Sequence, residues 1–437
     1  MDRPNILYLH SHDTGRYVQP YGYNIPTPNL QRLAEEGVLF RQTFCANPTC
    51  SASRASLLTG RWPHNNGMTG LAHRGWSLND YGQHVIRTLG KNGYYSALCG
   101  VQHVASHREP GGKKVIGYDD IVGESTDHEG ETSEMAAEFL HDGLEEPFFF
   151  SVGFSDTHRA FRDPGPEEDP RYTRPPEPIP DTPETRADMA GFIAEARVLD
   201  AKMGRVLDAL DETGLAENTL VICTTDHGIA FPRMKCNLYE GGIGVMLMMR
   251  GPGGFEGGRV VDALISQVDI YPTLCDLLEM EPADWLQGVS FMPVIRGEAE
   301  EVREELFGEV NYHAAYEPMR CVRTKRWKYI RRFDDRGVPV LPNCDDSPTK
   351  QLWMENGWAE MPLPEEELFD LVFDPHETNN LVGDPQAEEA LADMRERLDR
   401  WMHETDDPLL SGPVPAPEGA RVNDPDGVSP SEEQHIL

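Results

Sequence analysis

Lysine is scarce in this chain. It supplies eight of the 39 basic residues in a sequence of 437, against 74 Asp and Glu, and the formal net charge is −35. That shortage of cations excludes a nucleic-acid binder or an anionic-membrane binder, because phosphates and headgroups would go unneutralised. An anionic small molecule stays compatible, since one site needs only a few local cations. The acid excess with little Lys also fits a salt-adapted protein. No apolar run approaches the ~18 residues of a membrane-spanning helix. The eight cysteines (45, 50, 99, 223, 236, 275, 321 and 344) include no Cys-x-x-Cys pair. This excludes a zinc ribbon and a disulfide-stapled scaffold. Internal repeats, a Gly-x-Gly-x-x-Gly element and a P-loop are all missing. The opening Met1-Asp2-Arg3-Pro4 enters the apolar run Asn5 to Leu9 without the basic start and apolar core of a signal segment, so a cytoplasmic location is expected.

Apolar residues make up 39% of the chain and charged residues 26%, which is enough for a sizeable core. Apolar, β-branched runs alternate with amphipathic stretches through the first three quarters. Strands are predicted at Asn5–His10, Tyr94–Gly100, Pro147–Phe154, Thr219–Thr225 and Ile243–Arg250. They are apolar throughout, as strands buried on both faces are. Thr27-Pro28 reads as the start of a helix that Gly37 stops, and a longer helix is predicted from about Arg186 to Glu212. Residues 161–185, rich in Pro and acid, read as a long surface loop. The expected fold is α/β: a large, mainly parallel mixed sheet flanked by helices. After about residue 315 the texture changes. A strand at Cys321–Arg331 and a helix at Ala387–Met402 predict a smaller α+β subdomain with an antiparallel sheet and an irregular acidic tail. The division is 1–315 and 316–437.

In open parallel sheets, ligands bind beyond the carboxyl ends of the strands. Four of the predicted strands deliver His or Asp there: His10, His12 and Asp13; His103; Asp156 and His158; Asp226 and His227. One such residue is an ordinary loop feature, but four at one edge suggest a site. Asp13, Asp226 and His227 suit a divalent cation. Cys50-Ser-Ala-Ser-Arg54 followed by Ala-Ser-Leu-Leu-Thr-Gly60 reads as a short buried helix with Cys50 near its N-terminus, where the helix dipole favours negative charge. Arg54 lies one turn on, on the same face.

Cys50-Ser-Ala-Ser-Arg54 with Leu57-Leu-Thr-Gly60 resembles the signature of type I sulfatases of the alkaline-phosphatase superfamily. Further matches are Thr27-Pro-Asn-Leu30, Gly37-Val-Leu-Phe40, Asn218 to Gly228, Asp269 to Leu274, Val322 to Tyr329, and Glu367 to Leu371 with Glu377 to Leu381. The runs Cys50 to Gly60, His64 to Met68, Asp226 to Pro232 and Asn237 to Tyr239 are most similar to the heparan N-sulfatase (sulfamidase) branch. The resemblance implies an alkaline-phosphatase-like fold and hydrolysis of a sulfate ester or sulfamate, on a sugar. It implies that Cys50 is oxidised to formylglycine by a formylglycine-generating enzyme, giving a hydrated aldehyde that attacks sulfur. It implies catalytic roles for Arg54, His103, His158 and Lys235, and a divalent metal, calcium first, at His12, Asp13, residue 50, Asp226 and His227.

Three positions depart from the family pattern. Ala52 stands where Pro is usual, which bears on how completely Cys50 is converted. His12-Asp13 replaces Asp-Asp, and two imidazoles move the metal preference towards manganese. Val101 takes the place of the family's sulfate-binding Lys in Gly-Lys-x-His, with His10, His107 or Lys113 as candidate substitutes. Two other readings therefore stay open. One is a phosphonate monoester or phosphodiester hydrolase on the same scaffold, and the other is a binding protein without catalysis. Substrate choice is expected to lie with residues 61–75, 161–185 and 335–365.

Overall fold

Every residue of Asn5–Ser11 (β1) is buried, so both edges of this strand must find backbone partners inside the protein. The computed structural model, which describes residues 3–106, 112–123 and 131–437, places it mid-sheet. The other strands are β2 (Val38–Phe44), β3 (Tyr95–Gly100), β4 (Asp120–Val122), β5 (Phe148–Gly153), β6 (Thr219–Thr225), β7 (Leu247–Arg250) and β8 (Arg259–Ser266). Their order is β4-β3-β5-β1-β6-β7-β2-β8. β7 runs antiparallel to both its neighbours, and the remaining pairs are parallel. The sheet is thus mixed and mainly parallel, as expected.

Side chains of β1 alternate between the faces. Leu7 and Leu9 meet Leu30, Leu33, Leu199, Met203 and Val206 on one side. Ile6 and Tyr8 meet the layer containing Ala55, Leu57, Leu58 and Leu89 on the other. The long helix begins at Pro183, with Thr182 and Thr185 forming a reciprocal cap. The Pro-rich run conceals that start in the sequence. The preceding loop contains one 3-10 turn, Pro170–Tyr172. β2 and β8 carry no clear strand signal because polar residues interrupt them: exposed Arg41 and half-buried Gln42 in one, exposed Arg259 and Asp262 in the other.

The smaller sheet comprises β9 (Glu305–Tyr312), β10 (Tyr316–Thr324), β11 (Trp327–Arg332) and β12 (Glu366–Asp370), all antiparallel in the order β12-β11-β10-β9. The single strand expected at Cys321–Arg331 is a hairpin that turns at Lys325-Arg326. That turn has no Gly or Pro to announce it. Leu391, Met394, Leu398 and Trp401 of the helix Glu388–Glu404 cover Val322, Tyr329 and Leu368. Phe44 and Leu264 share a core with Val310, Cys321, Ile330 and Phe369, so the two sheets are packed together. Part of the tail is ordered as β13 (Arg421–Asn423) and β14 (Gln434–Ile436). Ala420 and Val422 join the main core. No helix among the described residues is long and apolar enough to cross a membrane.

Candidate active site

The parallel strands β1, β3, β5 and β6 end at the same edge, and their following residues converge. Just past β1, Asp13 holds a left-handed backbone (φ +53°), and His103 after β3 does the same (φ +57°). Asp and His tolerate this region better than bulkier residues. Asp13 N–H donates to Asp226 Oδ1 (2.8 Å), as does His227 N–H (2.9 Å). The Asp226 carboxylate is therefore positioned by two backbone amides before any ligand arrives, while that of Asp13 is held by the side chains of His12 and Lys235. His12 Nδ1 lies 2.7 Å from Asp13 Oδ1 and 3.2 Å from Asp226 Oδ2. His227 Nε2 lies 3.4 Å from both Asp13 Oδ1 and Cys50 Sγ.

The helix Cys50–Thr59 follows β2 and is buried along its whole length, with Gly60 (φ +64°) closing it. Its Ser and Ala residues make this close burial possible. Ser53 Oγ donates to the Asp226 carbonyl (2.5 Å), and Arg54 reaches Asp226 Oδ2 (2.9 Å), the Ser11 carbonyl (2.8 Å) and His10 Nδ1 (2.5 Å). Cys50 is 3% exposed. Burial raises its thiol well above the ordinary value despite Lys235 nearby, so the unmodified side chain is protonated at neutral pH and a weak nucleophile.

Lys235 Nζ donates to Asp13 Oδ2 (2.8 Å) and stands 3.4 Å from His158 Nε2 and 2.9 Å from Asp345 Oδ2. Burial opposes its charge, but Asp13 and Asp345 more than offset that and keep it a cation. His158 Nδ1 lies 2.6 Å from the Arg159 carbonyl. That bond assigns the proton to Nδ1 and leaves the Nε2 lone pair facing Lys235. The rings of His103 and His158 stand edge-on to His12, 4.9 and 4.8 Å away. His103 Nδ1 is buried with no hydrogen-bond partner.

His12, Asp13, Cys50, Asp226 and His227 each present one ligand atom, all within 4.8 Å of one another. His12 Nε2 is a buried nitrogen without a partner. Burial lowers the His12 pKa to about 4, against the pull of Asp226 and Asp13, so its ring is neutral at pH 7. Two fixed carboxylates and two imidazoles fit a divalent ion of mixed oxygen and nitrogen preference.

Residues 4–280 match the sulfatase family model, and residues 227–353 match the N-sulphoglucosamine sulphohydrolase C-terminal model. The chain belongs to the sulfatase family. As a member it is a sulfuric ester hydrolase. It is 29% identical to human N-sulphoglucosamine sulphohydrolase over 474 residues, covering 94% of this chain and 92% of that protein. Among solved structures, one in complex with its substrate D-glucosamine-2-N,6-O-disulfate superposes with TM-score 0.72 at 19% identity, over 93% of this chain and 98% of that one. The phosphonate monoester hydrolase of Agrobacterium radiobacter superposes with TM-score 0.70 at 20% identity, over 92% and 96%. Likeness to these structures shows a common fold, which does not separate sulfur from phosphorus chemistry.

All the site residues implied by the sulfatase-like motifs come together in one cluster. His10 lies beneath Arg54 and also touches Ser151 (3.2 Å). His107 lies outside the described residues, and Lys113 is half-buried on the turn Gly112–Val115. Arg159 is largely buried, at 9% side-chain exposure. It pairs with Asp188 through both Nη atoms (2.7 and 2.8 Å) and lies over the Phe161 and Phe231 rings. The sequence does not single out His73, whose ring is 6.2 Å from His103, nor His313 and Asp345. His73 and Asp345 fall in segments assigned to substrate choice and His313 outside them, with no local pattern to mark any of the three.

Proposed function

We propose that this sulfatase hydrolyses a sulfate ester or sulfamate on a sugar, with Cys50 converted to formylglycine by a formylglycine-generating enzyme and a divalent ion at the carboxylate cluster. The observation that carries this reading is the convergence of His12, Asp13, Asp226 and His227 on residue 50, flanked by the cations Arg54 and Lys235. The match to an N-sulphoglucosamine sulphohydrolase over nearly the whole chain supports the sugar and the sulfamate.

His12, Asp13, Asp226 and His227 would hold the ion, which when bound polarises a sulfuryl oxygen and acidifies the nucleophile. Formylglycine, when present at residue 50, supplies a hydroxyl nucleophile in place of a thiol. Arg54 fixes the Asp226 carboxylate and the Cys50 helix in one arrangement. Lys235 offers its ammonium to the negative charge that grows on the sulfuryl oxygens. The His158 Nε2 lone pair faces the Lys235 ammonium, so it can accept a proton from Lys235 and pass it to the departing oxygen or nitrogen. Burial holds the His103 ring neutral, and its unpartnered Nδ1 leaves a polar atom for a substrate or water.

The test has two parts. The tryptic peptide Gln42–Arg54 is expected to lose about 18 Da when Cys is converted. The converted protein is expected to hydrolyse glucosamine N-sulfate and aryl sulfate with higher kcat/KM than an aryl phosphonate monoester. An unconverted peptide after co-expression with the maturation enzyme, or a reversed order of kcat/KM, would overturn the reading.

A further inference from the structure

A pocket that takes a sulfuryl anion should be lined with cations, yet Asp345 places a carboxylate 2.9 Å from Lys235 Nζ. Three features show that this carboxylate is built in. It comes from the C-terminal part of the chain, just after the turn Leu341–Asn343. Asn343 Oδ1 accepts the Ala314 and Ala315 amides (3.0 and 2.9 Å), and Lys350 Nζ donates to the Cys344 carbonyl (2.7 Å), so the chain leading into Asp345 is anchored. The Asp345 side chain is 18% exposed, whereas that of Lys235 is 2% exposed, so Asp345 is the solvent-reachable partner of the pair.

The contact with Lys235 is close but is not aligned as a hydrogen bond, and Asp345 Oδ2 has no other partner. His313, from the turn between β9 and β10, is nine-tenths buried with Nδ1 also unpartnered. It lies within electrostatic reach of Lys235 and Asp345. Asp345 Oδ2 is ion-paired with Lys235 but keeps acceptor capacity for a ligand's polar hydrogen, and His313 Nδ1 has no hydrogen-bond partner. Neither belongs to the metal cluster.

Charge points the same way. Asp13, Asp226 and Asp345 outnumber Arg54 and Lys235, and Val101 adds no cation. With a divalent ion bound, the site carries one net positive charge, which a single sulfuryl group neutralises. A second anionic group would face Asp345 with no charge to meet it.

Resting on the proposed sugar sulfatase reading, we infer that Asp345 determines specificity by accepting a hydroxyl or ammonium hydrogen of the substrate and by rejecting a second anionic group on the sugar. The substrate class is therefore monosulfated sugars whose remaining groups are neutral or cationic. Exclusion of this kind is specificity by penalty on the wrong ligand.

Binding tests this without turnover. Calorimetric titration of the chain with Cys50 unconverted would compare glucosamine N-sulfate with glucosamine N,6-O-disulfate. The wild type is expected to prefer the monosulfate by at least about tenfold in Kd. Asp345→Asn keeps the shape and removes the charge, and should narrow that preference to about threefold or less. Equal loss of affinity for both ligands in Asp345→Asn would show that the residue only holds Lys235 and would overturn the inference. So would a wild type that binds both ligands equally, or neither, a result that needs no variant. If the matured chain fails to hydrolyse either sugar while the binding preference holds, the sulfatase reading fails and the role of Asp345 stands. If it turns over both at equal efficiency with no binding preference, the sulfatase reading stands and the role of Asp345 fails.

Discussion

Arg54 Nη2 donates to Asp226 Oδ2 across 2.9 Å, and the same guanidinium reaches the Ser11 carbonyl and His10. One side chain thus ties the Cys50 helix to the carboxyl ends of β1 and β6. Its loss would leave the Asp226 carboxylate buried beside Asp13 with one cation fewer.

Arg54→Ala is accordingly expected to cost about 3–5 kcal/mol of stability, as removal of one partner of a buried ion pair does. Arg54→Lys keeps the charge but lacks the fork that spans three acceptors. It should lower Tm less than Arg54→Ala while still reducing kcat about a hundredfold. Thermal unfolding and steady-state assays of both variants check this. Equal Tm losses would show that the bridging geometry, and not the charge, is what matters for stability.

Asp226 accepts two backbone amides as well as Arg54, so its carboxylate is preset for a ligand. Added Mn2+ or Ca2+ should stabilise the wild type by about 2.7 kcal/mol at a hundred times its Kd. Asp226→Asn should abolish that rise. A metal-dependent Tm shift of the same size in the variant would place the ion elsewhere.

Glu317 is buried and accepts from Asn343 Nδ2 (2.9 Å). Burial pushes its carboxyl up to about 7. The folded pKa is above the unfolded one, so the contribution to stability is complete below the unfolded value. It is lost as pH rises through about 7. Glu317→Gln stays neutral throughout. Its Tm relative to wild type should therefore become more favourable between pH 5 and pH 8.5. A difference independent of pH would contradict this.

A net charge of −35 means self-repulsion across the surface, which salt screens over about 10 Å at 0.1 M. The Tm should therefore rise from low salt to molar KCl. Substituting several isolated exposed acids by Gln or Asn should flatten that rise. A Tm that falls with KCl would show that attractive surface pairs outweigh the repulsion.

Legibility follows distance along the chain. Asn5–Ser11 and Thr219–Thr225 are readable because strands buried on both faces must be apolar throughout, and the residues after them have to share one edge. His12, Asp13, Asp226 and His227 follow from that rule. Lys235 is visible through resemblance alone, since no local pattern distinguishes it from a solvated lysine. Asp345 is marked only by the segment that holds it, and His313 by nothing in its neighbourhood. Their place at Lys235 depends on how the antiparallel sheet docks, a property that no short window carries. The turn at Lys325-Arg326 and the polar interruptions of β2 and β8 are hidden because periodicity weakens wherever exposure alternates within one element.

The position of β1 has a consequence for biosynthesis. Its neighbours β5 and β6 begin at residues 148 and 219, so the first strand leaves the ribosome long before either exists. Such high contact order makes folding slow and keeps the early segment open. Residue 50, sealed in the finished molecule, is reachable during that interval. The proposed conversion of this side chain would therefore have to occur on the growing or newly released polypeptide, within the time that sheet closure leaves.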